Sequence, residues 1–207
     1  MATVSEFMEL VDSSPSEKSV QEFLEKRPHL LRDLFLSPNS RVVKQFPVAG
    51  GEFRADFAFA HTDSGGNHLT LLELESPRRR MFNRDDSFSQ TFNHAAQQVR
   101  DWVAWSRNNP EWTRQLLRPL LGFLKSENVY VGGLLVMGRR CELENRRRRD
   151  RFEARATEWQ GCRVRTYDGF AEQLALSAEW SRVRSRAQPL FSYREGTFQE
   201  VQRTRAE

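Results

Sequence analysis

Between residues 14 and 34 the apolar side chains Val20, Phe23, Leu24, Leu30, Leu31 and Leu34 recur at helical spacing. Ser14 is placed to cap this segment, Pro15 suits its first turn, and Glu17 stands three residues on as a capping-box partner. Pro28 predicts a break into two helical pieces. The period then shortens. Residues 41–48 form a short strand candidate, Gly50 and Gly51 a turn, and 53–60 ("FRADFAFA") alternate. Phe53, Ala55, Phe57 and Phe59 fall on one face, and Arg54, Asp56 and Ala58 on the other. Residues 61–67 read as a hairpin loop and 68–76 as the next strand, ended by Pro77. Helical spacing returns over 86–109 through Phe88, Phe92, Ala95, Ala96, Val99, Trp102, Val103 and Trp105, and a second helix begins at Pro110. The unbroken apolar run 128–138 predicts a strand covered on both faces. A basic helix (144–159), a strand (162–168) and a closing helix (169–186) follow. Apolar patterning fades after Pro189, so a single domain over 1–188 with a fraying tail, 189–207, is expected. The order of elements is that of an α/β protein.

Carboxylates sit inside the most strand-like part of this pattern. If 53–60 and 68–76 close symmetrically as an antiparallel hairpin, paired positions sum to about 129 and Asp56 lies opposite Glu73. Glu75, two residues along, projects from the same face as Glu73. Three acids at one point repel one another, and burial adds to the cost. A divalent cation among the oxygens removes that cost. All-carboxylate ligation selects a hard ion, Mg²⁺ or Mn²⁺. The plainer alternative is that Arg54 and Arg78 to Arg80 pair with these acids as surface salt bridges.

Composition sets the setting. The chain has 207 residues, fifteen Phe and five Trp, enough to build a core without staples. Two lone cysteines, Cys141 and Cys162, fit a reducing cytoplasm better than a disulfide scaffold. The N-terminus lacks the basic start and apolar run of a signal peptide, and no run of about 18 apolar residues suggests a membrane span. Net charge is only +4, yet basic residues cluster. Arg78, Arg79 and Arg80 follow the acidic strand, and seven arginines fall within residues 139–151. Arginine suits bidentate phosphate contact, which makes Arg78 to Arg80, Arg146 and Arg147 candidate nucleic-acid contacts; a solvated helix face is the alternative.

Asp56 followed by Glu73-Leu74-Glu75 at strand ends resembles the PD-(D/E)XK nuclease signature, whose core is αβββαβ. The chain is more specifically similar to the C-terminal nuclease domain of Shedu anti-phage proteins, from about Glu17 to Leu174. The likeness is carried by "EKSVQEFLEKRPHLL", "FRADFAF", "LLELESP", "HAAQQVRDWVAW", "VYVGGLLVMGR" and "VRTYDGFAEQL" in that order. It implies that Asp56 and Glu73 bind metal and that Gln98, with Trp102 one turn on, matches the helix glutamine of such nucleases. It also implies DNA as the substrate, bacterial anti-phage defence, and assembly into a homo-oligomer. One departure stands out. Glu75 occupies the position where the family usually has lysine. Some restriction enzymes of this fold carry Glu-x-Glu, in which the second glutamate serves as base or extra ligand. Lys44 or Arg78 are alternative sources of the missing positive charge, and Glu17 and Glu22 of the first helix are within reach of the site.

Two classes of function follow. One is a metal-dependent endonuclease using Asp56, Glu73, Glu75 and Gln98. The other is a nucleic-acid or protein-binding module on the same fold that has lost its chemistry at Glu75.

Overall fold

A computed structural model describes residues 4–32, 40–122, 124, 126–158, 161–181 and 190–201. Its centre is one seven-stranded mixed sheet in the order β5-β4-β3-β2-β1-β6-β7. The strands are β1 (Arg41–Val48), β2 (Phe53–Asp63), β3 (Gly66–Leu74), β4 (Val129–Val136), β5 (Cys162–Arg165), β6 (Leu190–Arg194) and β7 (Thr197–Glu200). β1, β2 and β3 run antiparallel as a meander. β4 and β5 add in parallel on one side, and β6 adds in parallel to β1 on the other.

Helices cover both faces. α4 (Gln90–Asn108) and α5 (Pro110–Leu121) lie on one side, where Phe92, Ala95, Ala96, Val99, Trp102, Val103, Leu116 and Leu117 meet Ala58, Ala60, Leu69, Leu71 and Leu135. α1 (Val4–Asp12), α2 (Glu17–Glu25), α3 (Pro28–Arg32) and α7 (Tyr167–Ser181) lie on the other, where Phe7, Val20, Leu24, Tyr167 and Phe170 meet Phe57, Phe59, Leu72, Leu74 and Val136. A basic helix, α6 (Arg146–Glu158), completes the chain order before β5. The central strands are therefore apolar on both faces, as the run at 129–136 requires. Among the described residues no helix is long and apolar enough to cross a membrane.

The hairpin register agrees with the sequence: Phe57 pairs with Leu72, Ala58 with Leu71 and Ala60 with Leu69, each summing to 129. The hairpin is longer than expected. His61, Thr62 and Asp63 pair with His68, Asn67 and Gly66, so most of the expected loop is strand. Asp63 makes this tight turn workable by accepting the Gly65 and Gly66 amides at 2.7 and 3.1 Å.

The expected fraying after Pro189 is not met over 190–201. β6 and β7 form a hairpin turning through Glu195 and Gly196, both at positive φ, as a two-residue turn between twisted strands requires. Helix α2 also departs from expectation. Its cap is Ser16, whose hydroxyl accepts the Ser19 amide, so Glu17 is the first helical residue and takes no part in a capping box. That releases Glu17 to face the sheet.

Candidate active site

The strict alternation expected over 53–60 fails at Asp56. Ala55 packs with the α4/α5 core while Phe57, two residues on, packs with the α1/α2/α7 core. The same reversal occurs opposite, in β1, where Val43 and Phe46 share a face although three residues apart. The β1–β2 ladder pairs Lys44 with Phe57 and Phe46 with Ala55 but skips the intervening Gln45 and Asp56, and Gln45 has φ 52°. A non-glycine residue in the left-handed region is uncommon and marks local strain. On the other side, the β2–β3 ladder ends at Phe57 and Leu72. Asp56 thus sits where β2 loses regular pairing with both neighbours. Its Oδ2 fills the gap by accepting the Leu74 amide at 2.8 Å.

Two helices bracket the acids from opposite sides of the sheet. From α2, Gln21 Nε2 donates to Asp56 Oδ1 at 2.5 Å and to Glu17 Oε1 at 3.2 Å. From α4, Gln98 Nε2 donates to Glu73 Oε1 at 3.2 Å. Glu17, Gln21 and Glu25 lie four residues apart along one face of α2, and Glu25 binds Lys44 Nζ at 2.7 Å. Below the pair, the Tyr167 hydroxyl donates to the Glu75 carbonyl at 2.6 Å and the Glu75 amide donates to Val136 O at 2.9 Å, which fixes the backbone after β3.

This environment favours protons over bare charge. Burial, with added repulsion from Glu17, Glu75 and Glu25, raises the Asp56 carboxyl from 3.8 to about 7 against the pull of the Leu74 amide. Burial, then repulsion from Asp56, Glu17 and Glu75, raises Glu73 from 4.5 to about 9. Burial also raises Glu17 and Glu75, each opposed by the guanidinium of Arg79. Oε2 of Glu73 is buried and has no hydrogen-bond partner among the described residues. A buried, unpartnered carboxylate oxygen beside a second acid, with oxygen donors only, fits a hard divalent cation.

Some expectations change. The three hairpin acids do not close on one point: among the described residues, the one set of three His, Cys, Asp or Glu ligand atoms within 4.8 Å of one another is His61, Asp63 and His68. Like charges at close range separate, and Glu75 turns to Arg79 Nε at 3.5 Å. The plain salt-bridge reading accounts for Glu75 but not for Asp56 or Glu73, whose polar partners are amides. Arg54 reaches the Gln45 carbonyl instead, and Arg78 the Ser14 carbonyl. Among the described residues the cation that bears on Glu17 and Glu75 is Arg79, while Lys44 pairs with Glu25. Glu22 faces solvent near Lys18, and His94 is exposed, close enough to bear on Glu75.

Of the other arginines, Arg79 and Arg80 share an open groove with Arg84, Phe82 and Asn83. Arg146 and Arg147 are exposed at the start of α6, whereas Arg148 is tied to Asp86 at 2.5 Å. Sequence reading missed Gln21 and passed over Glu17. Their spacing of four on an amphipathic helix was the available signal.

No curated protein sequence matches the chain. A family model described as Shedu protein SduA, C-terminal, matches residues 14–171, a span that runs from the turn before α2 into α7 and takes in Glu17, Gln21, Asp56, Glu73, Glu75 and Gln98. Since that match covers well over half of the 207 residues, the chain belongs to the Shedu SduA C-terminal family.

Proposed function

We propose that this protein is a metal-dependent endonuclease of the PD-(D/E)XK type that nicks or cleaves DNA in bacterial anti-phage defence. The observation that carries the reading is the Asp56–Glu73 pair where β2 and β3 part, with Asp56 buried, Glu73 half-buried, Glu73 Oε2 unpartnered among the described residues, and both carboxyls raised by burial. Asp56 and Glu73 are the residues that would hold Mg²⁺ or Mn²⁺; the ion would polarise a phosphate and acidify a bound water. Gln21 and Gln98 orient the two carboxylates. Glu75, partly exposed and raised by burial, is the group that would take a proton from water near the scissile phosphate. Arg79 and Arg80, in their groove with Arg84, supply phosphate contacts, with Arg78, Arg146 and Arg147 as further exposed cations. Family membership supports the defence role; action in the cytoplasm and assembly as a homo-oligomer are parts of the same proposal.

The test is plasmid nicking with Mg²⁺, Mn²⁺ or EDTA, comparing wild type with Asp56→Asn. Metal-dependent nicking lost in the variant is expected; equal background in both proteins defeats the reading. A second reading, a binding module without chemistry, is favoured by one observation: the position after Glu73-Leu74 is an acid held by Arg79 rather than a free lysine. Glu75→Lys separates the two, since nicking gained only in that variant identifies a site that had lost its chemistry.

A further inference from the structure

The far end of the same hairpin carries ligand-type side chains that the acidic pair does not use. His61 of β2 lies directly opposite His68 of β3, and their rings stack with centroids 4.6 Å apart and planes 6° apart. Asp63, two residues beyond His61, projects to the same side of β2. Its Oδ1 lies 3.0 Å from His68 Nε2 while the Gly65 and Gly66 amides hold the carboxylate in place. One ligand atom from each of the three lies within 4.8 Å of the other two. Tyr130 of β4, opposite His68 in the parallel ladder, stacks on that imidazole at 5.2 Å and backs it from a third strand.

We propose that His61, Asp63 and His68 form a binding site for a borderline divalent transition-metal ion of the zinc class, separate from the acidic pair. Two imidazoles and one carboxylate select Zn²⁺, Co²⁺ or Ni²⁺ over Mg²⁺, which prefers oxygen alone. Bonds of ~2.0–2.1 Å in a tetrahedron put ligand atoms roughly 3.3 Å apart. The closing movement needed is a side-chain rotation on strands whose backbones are already paired. Protonation states agree with the assignment. Burial and the neighbouring His68 lower His61, which keeps that imidazole neutral, and the His68 hydrogen bond lowers Asp63, which keeps it ionised. Asp63 is exposed, so an ion enters from solvent and water completes its coordination. Five residues separate His61 from Asp56 along β2, roughly 16 Å at ~3.3 Å per residue, so the two sites do not share a ligand.

Full-length protein stripped with a chelator is titrated near neutral pH with Zn²⁺ by calorimetry and with Co²⁺ by visible absorption. One equivalent of Zn²⁺ and a Co²⁺ spectrum of mixed nitrogen and oxygen ligation are expected in wild type and, unchanged, in Glu73→Gln. His61→Asn and His68→Asn should each weaken Zn²⁺ binding at least ~10-fold, the least expected for losing a ligand. Asp63→Asn, which keeps an oxygen acceptor for the two glycine amides, should weaken it as well without opening the turn. Zn²⁺ binding that disappears in Glu73→Gln, or that survives at wild-type strength in both histidine variants, overturns the proposal and leaves the row a stacking ladder.

Discussion

Glu73→Gln is the sharpest perturbation available. The glutamine keeps an oxygen to accept from Gln98 and places an amide where the unpartnered Oε2 now lies beside Asp56. Without cation it should stabilise the fold at alkaline pH. The sign follows from proton binding. Glu73 moves from 4.5 to about 9 on folding, so between those values the native state holds a proton that the unfolded chain has released. The stability this confers is complete below about pH 4.5 and is lost as pH rises toward 9. At about pH 8 the gap to the unfolded value is ~3.5 pH units, each about 1.4 kcal/mol, which sets a ceiling of ~5 kcal/mol on what the substitution restores. For a chain of this length 1 kcal/mol is ~2–4 °C in Tm, so an apo gain of several degrees at about pH 8 and almost none at about pH 5 is expected. Divalent cation should do the reverse. At a hundredfold excess over its Kd, Mn²⁺ stabilises wild type by about 2.7 kcal/mol, ~5–11 °C, and Glu73→Gln by far less. The wild-type gain should shrink below about pH 7, where protons compete at Asp56 as well. Calorimetric melts at the two pH values, in EDTA and in Mn²⁺, read all four quantities. Equal apo midpoints for wild type and variant at about pH 8, or an undiminished Mn²⁺ response in the variant, would refute the buried-acid account.

Other perturbations test separate contacts. Gln21→Leu removes the donor to Asp56 Oδ1 and should cost ~1–3 kcal/mol in denaturant melts, with the larger loss at high pH, where Asp56 is charged. Gly133→Ala puts a methyl against Val99 and Val103 of α4; overpacking of ~1–3 kcal/mol is expected, together with a weaker Mn²⁺ response as α4 carries Gln98 away from Glu73. Arg79→Ala should weaken binding to duplex DNA and reduce the salt slope of log K by about one, whatever the sequence. Truncation after residue 189 removes the parallel partner of β1 and uncovers Val42 and Val43, so light scattering should show aggregation that the full chain does not.

Much of this arrangement was legible from residue order. Two apolar runs with turn residues between them set the β2–β3 register, because a slip of one would turn Phe57 and Leu72 out of their core. The continuous run at 129–136 announced a strand between two layers. The reversal of faces at Gln45 and Asp56 was not legible, since alternation extrapolates a regular strand and a side chain replacing a ladder bond leaves no periodic trace. Glu17 was assigned to a cap because it stands three residues after Ser14, the spacing of a capping box; the backbone instead begins the helix after Ser16. The final hairpin was missed because Ser192, Arg194, Gln199 and Glu200 dilute its apolar positions, although Glu195-Gly196 between Tyr193 and Phe198 is the turn chemistry such a hairpin uses.

The Leu74 amide has a bearing on how this protein is dissected. It donates to the side chain of Asp56, buried between the layers, so that carboxylate is also a peg in the backbone. Alanine at 56 would strand a buried N–H at a cost of ~1–3 kcal/mol and loosen the β2–β3 fork before any chemistry is measured. A dead alanine variant would therefore confuse a broken scaffold with a missing ligand. Asparagine, which still offers the amide an oxygen, separates the two.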